Sequence, residues 1–357
     1  MTPPRDLVVL YGGPSAEHEV SCISASRVAV AARDGGHRVT AIGLTHDKRW
    51  VNANRTLESL ADGDALTSPD VLIRRHPETE LPYLQTELRQ DPVVFPLLHG
   101  PFGEDGVIQG HLETIGLPYV GAGVLSSAIC MDKALAKSVL HDHRLPVAAW
   151  RLVRRADITG DSLEEAGRTL GYPIFVKPAN LGSSIGVTKV HDSATMRDAM
   201  ETAFEFDDYV ILEEFVDGRE LELALLGNEV VRVSRAGEIV ASREFYDYQD
   251  KYELGLATTL VPSVLTENQL ANAQDLALRA YRALRVEGLA RIDLFLRGDG
   301  SLVVNEVNTM PGFTPISMYP MLWELDGLPL GALIDDLVDL ALARHLRRQG
   351  LRTTRVG

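Results

Sequence analysis

The chain has 357 residues, more than one hydrophobic core usually serves, so we expect two or three domains. Its formal net charge of -15 argues against a general surface for nucleic acid or anionic membranes, although a local basic pocket remains compatible with it. Cys22 and Cys130 are far apart and lack metal-binding spacing, and no apolar stretch is long enough for a signal-peptide core or a bilayer span. These features predict a cytoplasmic protein.

The first third of the chain alternates strand-like and helix-like segments. Apolar runs at 7–11, 39–44 and 93–98 indicate buried strands, and a helical pattern covers 19–32. This alternation of strands and helices predicts a parallel sheet covered by helices. The pattern changes near Gly121-Ala122-Gly123, where we expect a domain boundary.

Two loops of this region carry candidate ligand contacts. Glu17 follows the first predicted strand and His99 follows the strand at 93–98, the positions where open α/β sheets place ligand-binding loops. A lone histidine is more often structural than functional. The residues themselves leave both interpretations open.

A glycine-rich loop at 180–186 follows Lys177 and could cover a phosphate. Its glycines let backbone amides approach an anion, while Ser183 and Ser184 add donors and the lysine adds charge. It is neither a Walker A sequence nor a dinucleotide fingerprint, and a plain hairpin is an equal alternative. Lys133, at the start of a predicted helix, could also reach phosphate, although exposed lysines are commoner.

Two further segments have the composition of ligand contacts. The carboxylates of 213–215 and 220–222 could bind an adenine amino group or ribose hydroxyls, although such residues are mostly solvated. The segment 245–252 is dense in aromatic and charged residues without periodicity. It would suit a loop that closes over a polar ligand, and a surface loop with packed tyrosines is the alternative.

A predicted hairpin around the Asp-Gly turn at 297–301 is the candidate metal site. Strand side chains alternate between faces, so Arg291 and Asp293 share one face, as do Glu306 and Asn308. If the strands bring these faces together, two carboxylates, an amide and a guanidinium converge where magnesium could be held against phosphates. For the hairpin alone, a solvated polar face is an equal alternative.

Taken in order, these segments resemble the signatures of the D-alanine:D-alanine ligase family of the ATP-grasp superfamily, over nearly the whole chain. The matching segments are Gly12–Ser21, His99-Gly100 with Gly103–Gly106, Met131-Asp132-Lys133, Lys177-Pro178 with Gly182–Gly186, Arg291-Ile292-Asp293, and Glu306–Thr309 with Pro311-Gly312. Leu181 departs from the pattern, because many relatives carry an acidic residue there.

The resemblance implies a fold of the α/β and α+β classes, namely an ATP-grasp fold with an N-terminal Rossmann-like parallel-sheet domain. We expect an N-terminal α/β substrate domain at 1–125, a central ATP-grasp subdomain at 126–215 and a C-terminal subdomain with the metal site at 216–357. ATP would lie between the last two, and the amino acids near the first. The family also implies a homodimer, and neither nucleic acid nor membrane is expected as a partner.

The activity implied is ATP-dependent ligation of two D-alanine molecules through an acyl phosphate, with two Mg²⁺ or Mn²⁺ ions. It would yield D-alanyl-D-alanine, ADP and phosphate for peptidoglycan synthesis. The alternatives are a D-alanine:D-lactate or D-alanine:D-serine ligase, another ATP-grasp carboxylate-amine ligase, and a nucleotide-binding regulator that has lost catalysis. Lys251-Tyr252 resembles the dipeptide-forming class. No residue spacing distinguishes D- from L-amino acids, so the stereochemistry rests on the resemblance.

The resemblance also implies roles for matching residues. The metal ions would be held by Asp293, Glu306 and Asn308. The nucleotide would be contacted by Lys133, Lys177, Ser183, Ser184, Glu213, Glu214, Phe215, Glu220, Phe245 and Lys251. Substrate binding and catalysis would involve Glu17, His99, Ser183, Tyr252, Arg291, Gly312, Ser317 and Met318. Among these, Arg291 and the Gly312 amide would stabilise an oxyanion, Ser317 would hold the second carboxylate, and Tyr252 would close the site.

Overall fold

The computed structural model describes residues 3–57, 60, 66–81, 92–158, 160–240 and 258–352. These residues form three sheets with helices packed on them. The sheets follow one another along the chain, so each is built from one continuous part of the sequence.

The first sheet has the strand order β4-β3-β2-β1-β5. Its strands are β1 (Asp6–Gly12), β2 (Arg38–Leu44), β3 (Trp50–Asn52), β4 (Glu80–Leu81) and β5 (Val93–Pro96). The helices of this region are α1 (His18–Asp34), α2 (Pro69–Arg75) and α3 (Val107–Thr114). β1 pairs in parallel with β2 and β5, as predicted, but β3 and β4 pair antiparallel, so the sheet is mixed. β1 and β5 are almost entirely buried, as apolar strands covered on both faces should be.

The second sheet is antiparallel and has the order β6-β9-β7-β8. Helices α4 (Val124–Met131) and α5 (Lys133–Asp142) precede it. The strands are β6 (Trp150–Arg154), β7 (Ile174–Pro178), β8 (Thr188–Val190) and β9 (Tyr209–Glu214), with helices α6 (Gly160–Leu170) and α7 (Ser193–Ala203) between them. The glycine-rich loop connects β7 to β8, as predicted.

The third sheet is antiparallel, with the order β12-β11-β10-β13-β14. Its strands are β10 (Gly218–Gly227), β11 (Val231–Val240), β12 (Thr258–Leu260), β13 (Gly288–Arg297) and β14 (Leu302–Asn308). The remaining helices are α8 (Glu267–Ala283), α9 (Met318–Leu325) and α10 (Leu330–Gln349). The predicted hairpin is therefore the β13–β14 pair.

Helix α5 belongs to the hydrophobic core of the third sheet. Ala136 and Leu140 share a hydrophobic cluster with Leu223 of β10 and Ile292 of β13, whereas the second sheet has a core of its own around Val176. The predicted boundaries assign α5 to the central subdomain together with the second sheet. Those boundaries remain a prediction, but the packing of α5 links it to the sheet that follows.

The C-terminal helix α10 returns to the first sheet. Leu333 and Leu337 lie in the same hydrophobic cluster as Val28 of α1. The contact is reinforced by a hydrogen bond of 2.8 Å between His37 Nε2 and Asp335 Oδ1. None of the helices formed by the described residues is both long and apolar enough to cross a bilayer.

Two leucines of α5 provide a matched test of its packing. Leu140 is 1% exposed, whereas Leu135 is 53% exposed. Leu140→Ala should lower the free energy of unfolding by about 2–5 kcal/mol, because it removes buried methyl groups and leaves a cavity. Leu135→Ala should change it by less than about 0.5 kcal/mol. Urea denaturation followed by circular dichroism measures both, and equal losses would contradict the burial of Leu140 in the core of the third sheet.

Candidate active site

Two adjoining cavities lie beside the third sheet. The larger, of about 410 Å³, is lined by residues of the second and third sheets. The smaller, of about 130 Å³, is lined by the third sheet and by the loops that follow β1 and β5. Gly182, Ser183, Ile239 and Glu306 line both cavities. A ligand group in one cavity therefore comes close to a ligand group in the other.

Most of the predicted nucleotide contacts line the larger cavity. They are Lys133, Lys177, Ser183, Ser184, Glu213, Glu214, Phe215 and Glu220. Phe245 and Lys251, which were also predicted, lie outside the described residues. The cavity thus collects lysines, carboxylates and an aromatic ring that are far apart in sequence.

Lys133 reaches the larger cavity from the first residue of α5. The Asp132 carboxylate caps this helix by accepting the N–H groups of Ala134 and Leu135, both at 2.9 Å, which satisfies two donors that the helix cannot pair. The Lys133 ammonium donates to the carbonyl of Leu181 in the glycine-rich loop. Burial lowers the pKa of Lys133, and the Glu306 carboxylate opposes this effect. The cap therefore fixes the lysine beneath the loop.

Glu213 is buried between two lysines. Its Oε1 lies 2.6 Å from Lys137 Nζ, and its Oε2 accepts a hydrogen bond of 2.7 Å from Lys177 Nζ. Burial opposes ionisation of Glu213, but the two ammonium groups outweigh it and lower its pKa to about 2. The side chain is therefore a carboxylate at neutral pH.

The glycine-rich loop contacts the loop that follows β1. Ser183 and Ser184 have positive φ angles of 53° and 57°, a left-handed conformation that is uncommon for residues other than glycine. The Ser183 hydroxyl donates to Glu17 Oε1. A Cβ at Gly182 would lie only 3.3 Å from Glu17 Oε2, so a glycine allows the loop to approach this carboxylate.

The β13–β14 register brings the predicted metal-site residues together. Arg291 lies opposite Asn308, and Asp293 lies opposite Glu306. Arg291 holds Asp293 in a bidentate ion pair, with Nε and Nη2 each donating at 2.7 Å, and its Nε is 3.3 Å from Glu222 Oε2. Burial lowers the pKa of Arg291, but these carboxylates outweigh it and raise the pKa, so the guanidinium stays charged.

The predicted metal ligands differ in their access to the cavities. Glu306 and Asn308 line the smaller cavity, whereas Asp293 is buried and lines neither. Asn308 Nδ2 donates to Asp293 Oδ2 at 3.0 Å. The register also skips Asn305, since Asp293 pairs with Glu306 and Leu294 pairs with Val304. This bulge lets both Asn305 and Glu306 line the larger cavity, which regular alternation would not allow.

The smaller cavity is lined by the described residues predicted to contact the substrates. They are Glu17, His99, Ser183, Arg291, Gly312, Ser317 and Met318. Tyr252, predicted to close the site, lies outside the described residues. Ser317 Oγ accepts the N–H of Thr314 at 3.0 Å, and a Cβ at Gly312 would lie only 2.7 Å from that oxygen. Because glycine has no Cβ at position 312, the Ser317 hydroxyl can lie in the cavity wall.

His99 is held by the protein through both ring nitrogens. Nδ1 lies 3.1 Å from the Met310 carbonyl, which can only accept, so this nitrogen carries the proton. Nε2 lies 3.2 Å from Ser24 Oγ and accepts in the neutral ring. Burial lowers the pKa of His99, with the Glu17 charge opposing. The ring is therefore neutral at physiological pH, and its role as a substrate contact remains a prediction.

Two family models match the chain. The model described as D-ala D-ala ligase N-terminus covers residues 6–122, and the one described as D-ala D-ala ligase C-terminus covers residues 139–339. A D-alanine–D-alanine ligase of Halothermothrix orenii is 44% identical over 94% of this chain and 98% of its own length. The chain belongs to the D-alanine–D-alanine ligase family. Another member, from Solibacter usitatus, is 43% identical over 98% of this chain and 99% of its own length.

Solved structures of the family have the same fold. The D-alanine–D-alanine ligase of Coxiella burnetii superposes with a TM-score of 0.84 at 34% identity, covering 97% of this chain and 96% of that one. The D-Ala:D-Ser ligase of Enterococcus faecalis gives 0.83 at 33% identity, covering 95% and 99%. These similarities confirm the predicted ATP-grasp fold class and the predicted enzyme class, an ATP-dependent ligase.

Several residues of the ligase site were not predicted. They are Glu104, Lys137, Arg219, Glu238 and Asn305, while Glu222, a candidate adenine or ribose contact, lines the smaller cavity beside Arg291 instead. Lys137 had a sequence signal, because it follows Lys133 by four residues and so lies on the same face of the helix. Arg219 Nε donates to Glu238 Oε1 at 2.8 Å in the wall of the larger cavity. This pair joins two strands, and the sequence carried no signal for it.

A third polar cluster lies away from both cavities. His18, His46 and Asp70 have potential metal-ligating atoms within 4.8 Å of one another. The two rings are stacked, with centroids 4.0 Å apart and planes within 16°. Their nitrogen lone pairs therefore lie in nearly parallel planes and do not converge on one point. His18 Nδ1 also contacts the Gly13 carbonyl at 2.8 Å, so the cluster holds the loop after β1 against its neighbours.

Glu104 gives a pH-dependent prediction. It lines the smaller cavity, and burial of its carboxyl group, together with the charge of Glu17, raises its pKa to about 8. In the unfolded chain this carboxyl ionises near its ordinary pKa, so the native state binds the extra proton between about pH 4.5 and 8 and loses stability as pH rises. Glu104→Gln removes this loss, so its stability relative to wild type should rise with pH.

Denaturation of both proteins between pH 5 and 8 measures the effect. The relative stability of Glu104→Gln should increase by at most about 1.4 kcal/mol per pH unit. A difference that stays constant with pH would contradict a raised pKa for Glu104.

Proposed function

We propose that this enzyme joins two D-alanine molecules at the expense of ATP, giving D-alanyl-D-alanine, ADP and phosphate for peptidoglycan synthesis. The observation that carries the proposal is the meeting of the two cavities at Ser183 and Glu306. A nucleotide in the larger cavity would present its terminal phosphate to a carboxylate in the smaller one. Similarity to D-alanine–D-alanine ligases over nearly the full chain supports the substrate class.

The first step is phosphoryl transfer. A carboxylate oxygen of the first D-alanine attacks the γ-phosphorus of ATP, the bond to the bridging oxygen breaks, and ADP leaves behind an acyl phosphate. Lys133 and Lys177 would neutralise the transferring group, since charge on its oxygens is the main demand on the protein. The remaining nucleotide contacts would be Ser183, Ser184, Glu213, Glu214, Phe215 and Glu220.

The second step forms the peptide bond. The free amine of the second D-alanine attacks the acyl carbon, and phosphate leaves as the nitrogen loses a proton. Arg291 and the Gly312 amide would stabilise the oxyanion that develops on the former carbonyl oxygen. Glu17 and His99 would orient the first D-alanine, while Ser317, with Met318 beside it, would hold the carboxylate of the second.

The donors at the junction of the cavities fit Mg²⁺ or Mn²⁺, because these ions prefer carboxylate and amide oxygens. Glu306 and Asn308 supply such donors, and two bound ions would contribute positive charge beside the phosphates. Asp293 would join them while Arg291 donates to each of its oxygens, because a carboxylate oxygen can accept a hydrogen bond and still offer a second lone pair. The metal sites, a homodimeric assembly and a cytoplasmic location are parts of this proposal.

A D-alanine:D-serine ligase is the second candidate, because the structural neighbour from Enterococcus faecalis is a D-Ala:D-Ser ligase. We favour D-alanine at the second position, since relatives at 40–44% identity are named D-alanine–D-alanine ligases.

A phosphate-release screen tests the substrate assignment. With ATP and Mg²⁺, D-alanine alone should support phosphate release and yield a dipeptide by mass spectrometry, whereas L-alanine should not. Preferential formation of a mixed product from D-alanine with D-serine or D-lactate would favour those alternatives. Absence of phosphate release with every D-amino acid would favour a regulator without catalysis.

Glu306 tests the metal site. Glu306→Gln should lower turnover at least about a hundredfold, because it removes a negative charge from the position proposed to hold the ions. Asp299→Asn, the same change of acid to amide in the exposed turn of this hairpin, is the matched control and should keep wild-type turnover. Steady-state assays at saturating ATP and D-alanine measure both, and wild-type turnover in Glu306→Gln would refute the assignment.

A further inference from the structure

Lysine is rare in this chain, and two of its lysines form ion pairs with one buried carboxylate, that of Glu213. Only six of the 35 basic residues are lysine. Lys133, Lys137 and Lys177 lie around Glu213, and their charges all act on it or on one another. Lys133 and Lys177 line the larger cavity, but Lys137 does not. Its role therefore has to be sought on the protein side of Glu213.

The two ion pairs of Glu213 differ in burial. The Lys137 side chain is 2% exposed and that of Glu213 is 3% exposed, whereas the Lys177 side chain is 15% exposed. Each lysine has one carboxylate oxygen, Oε1 for Lys137 and Oε2 for Lys177. Lys137 is thus the enclosed counter-ion, and Lys177 is the partner at the cavity edge.

A buried carboxylate requires a positive partner, because an uncompensated charge in the interior is strongly unfavourable. If Lys137 were absent, Lys177 would be the remaining direct ion-pair partner of Glu213, and its charge would be held by that carboxylate. With Lys137 in place, Glu213 is already neutralised from the protein side. The ammonium group of Lys177 is then available to pair with an anion in the larger cavity.

We propose that Lys137 is a positioning residue for the nucleotide: it neutralises and orients Glu213 from the interior, so that Lys177 is available to the phosphates. The inference rests on the proposed ATP site and adds a residue that does not touch the nucleotide. A lysine suits this position because its compact ammonium fits one carboxylate oxygen, whereas a guanidinium presents a wide fork of donors.

Binding titrations with ATP and with adenosine test the proposal. Lys137→Met should weaken ATP binding about tenfold, which corresponds to the loss of roughly one charge-assisted contact. It should leave adenosine binding unchanged, because adenosine has no phosphate. Lys137→Met/Glu213→Gln should restore the wild-type ratio of ATP to adenosine affinity, since the double variant no longer has a buried charge that requires Lys177, and loss of the Glu213 contact would weaken both ligands alike. Lys48→Met, the same change beside Phe102 and outside the cavity lining, should keep the wild-type ratio of ATP to adenosine affinity.

Two outcomes would overturn the inference. Equal weakening of ATP and adenosine would assign Lys137 a purely structural role, and unchanged ATP affinity would show that it does not influence the phosphates. If Lys137→Met fails to fold, Glu213→Gln becomes the test. Without the charge of Glu213, Lys177 stays available to the phosphates, so the ratio of ATP to adenosine affinity should be no lower than that of wild type. A lower ratio in that variant would also overturn the inference.

These titrations are made without amino acids, so they do not depend on the identity of the ligated substrates. A wild-type protein that binds neither ATP nor adenosine would contradict the proposed nucleotide site itself. A wild-type protein that binds ATP but fails the phosphate-release screen would contradict only the proposed ligation.

Discussion

The charge of Glu213 is the constraint on which the nucleotide side of the site depends. This carboxylate lies at the end of β9, and it is stable there because Lys177 comes from the neighbouring strand β7 and Lys137 from α5. Helix α5 itself belongs to the hydrophobic core of the third sheet. One buried charge therefore ties the two sheets that enclose the larger cavity, and the same contact sets the direction in which the lysines act.

The substrate side depends on contacts between the first region and the third sheet. The Met310 N–H, just beyond β14, donates to Glu104 at 3.2 Å, and the Met310 carbonyl accepts from His99. Arg27 of α1 donates to the Thr314 carbonyl at 2.7 Å. These hydrogen bonds hold the chain after β14 against the loop that follows β5 and against α1. Both cavities are thus formed at contacts between separate sheets, as ligand sites commonly are.

Strand periodicity predicted one part of the arrangement of the β13–β14 hairpin and missed another. Alternation along the strands predicted that Arg291 and Asp293 share a face, and the register confirms that Glu306 and Asn308 lie opposite them. Alternation did not predict the bulge at Asn305, because an unpaired residue changes the local period without a mark in composition. It also did not predict that Asp293 would be enclosed by Arg291 while Glu306 reaches the cavities.

The amino-acid sequence by itself determined the three parallel strands of the first sheet, the hairpin and the family, because these rest on local periodicity and on ordered motifs. Only the tertiary structure decided which charged side chains form ion pairs with each other. The ion pair between Lys137 and Glu213 joins a helix to a strand of another sheet, and the hydrophobic core that α5 shares with the third sheet crosses the predicted boundary. Such contacts depend on which apolar surfaces are buried together, and no local pattern encodes that choice.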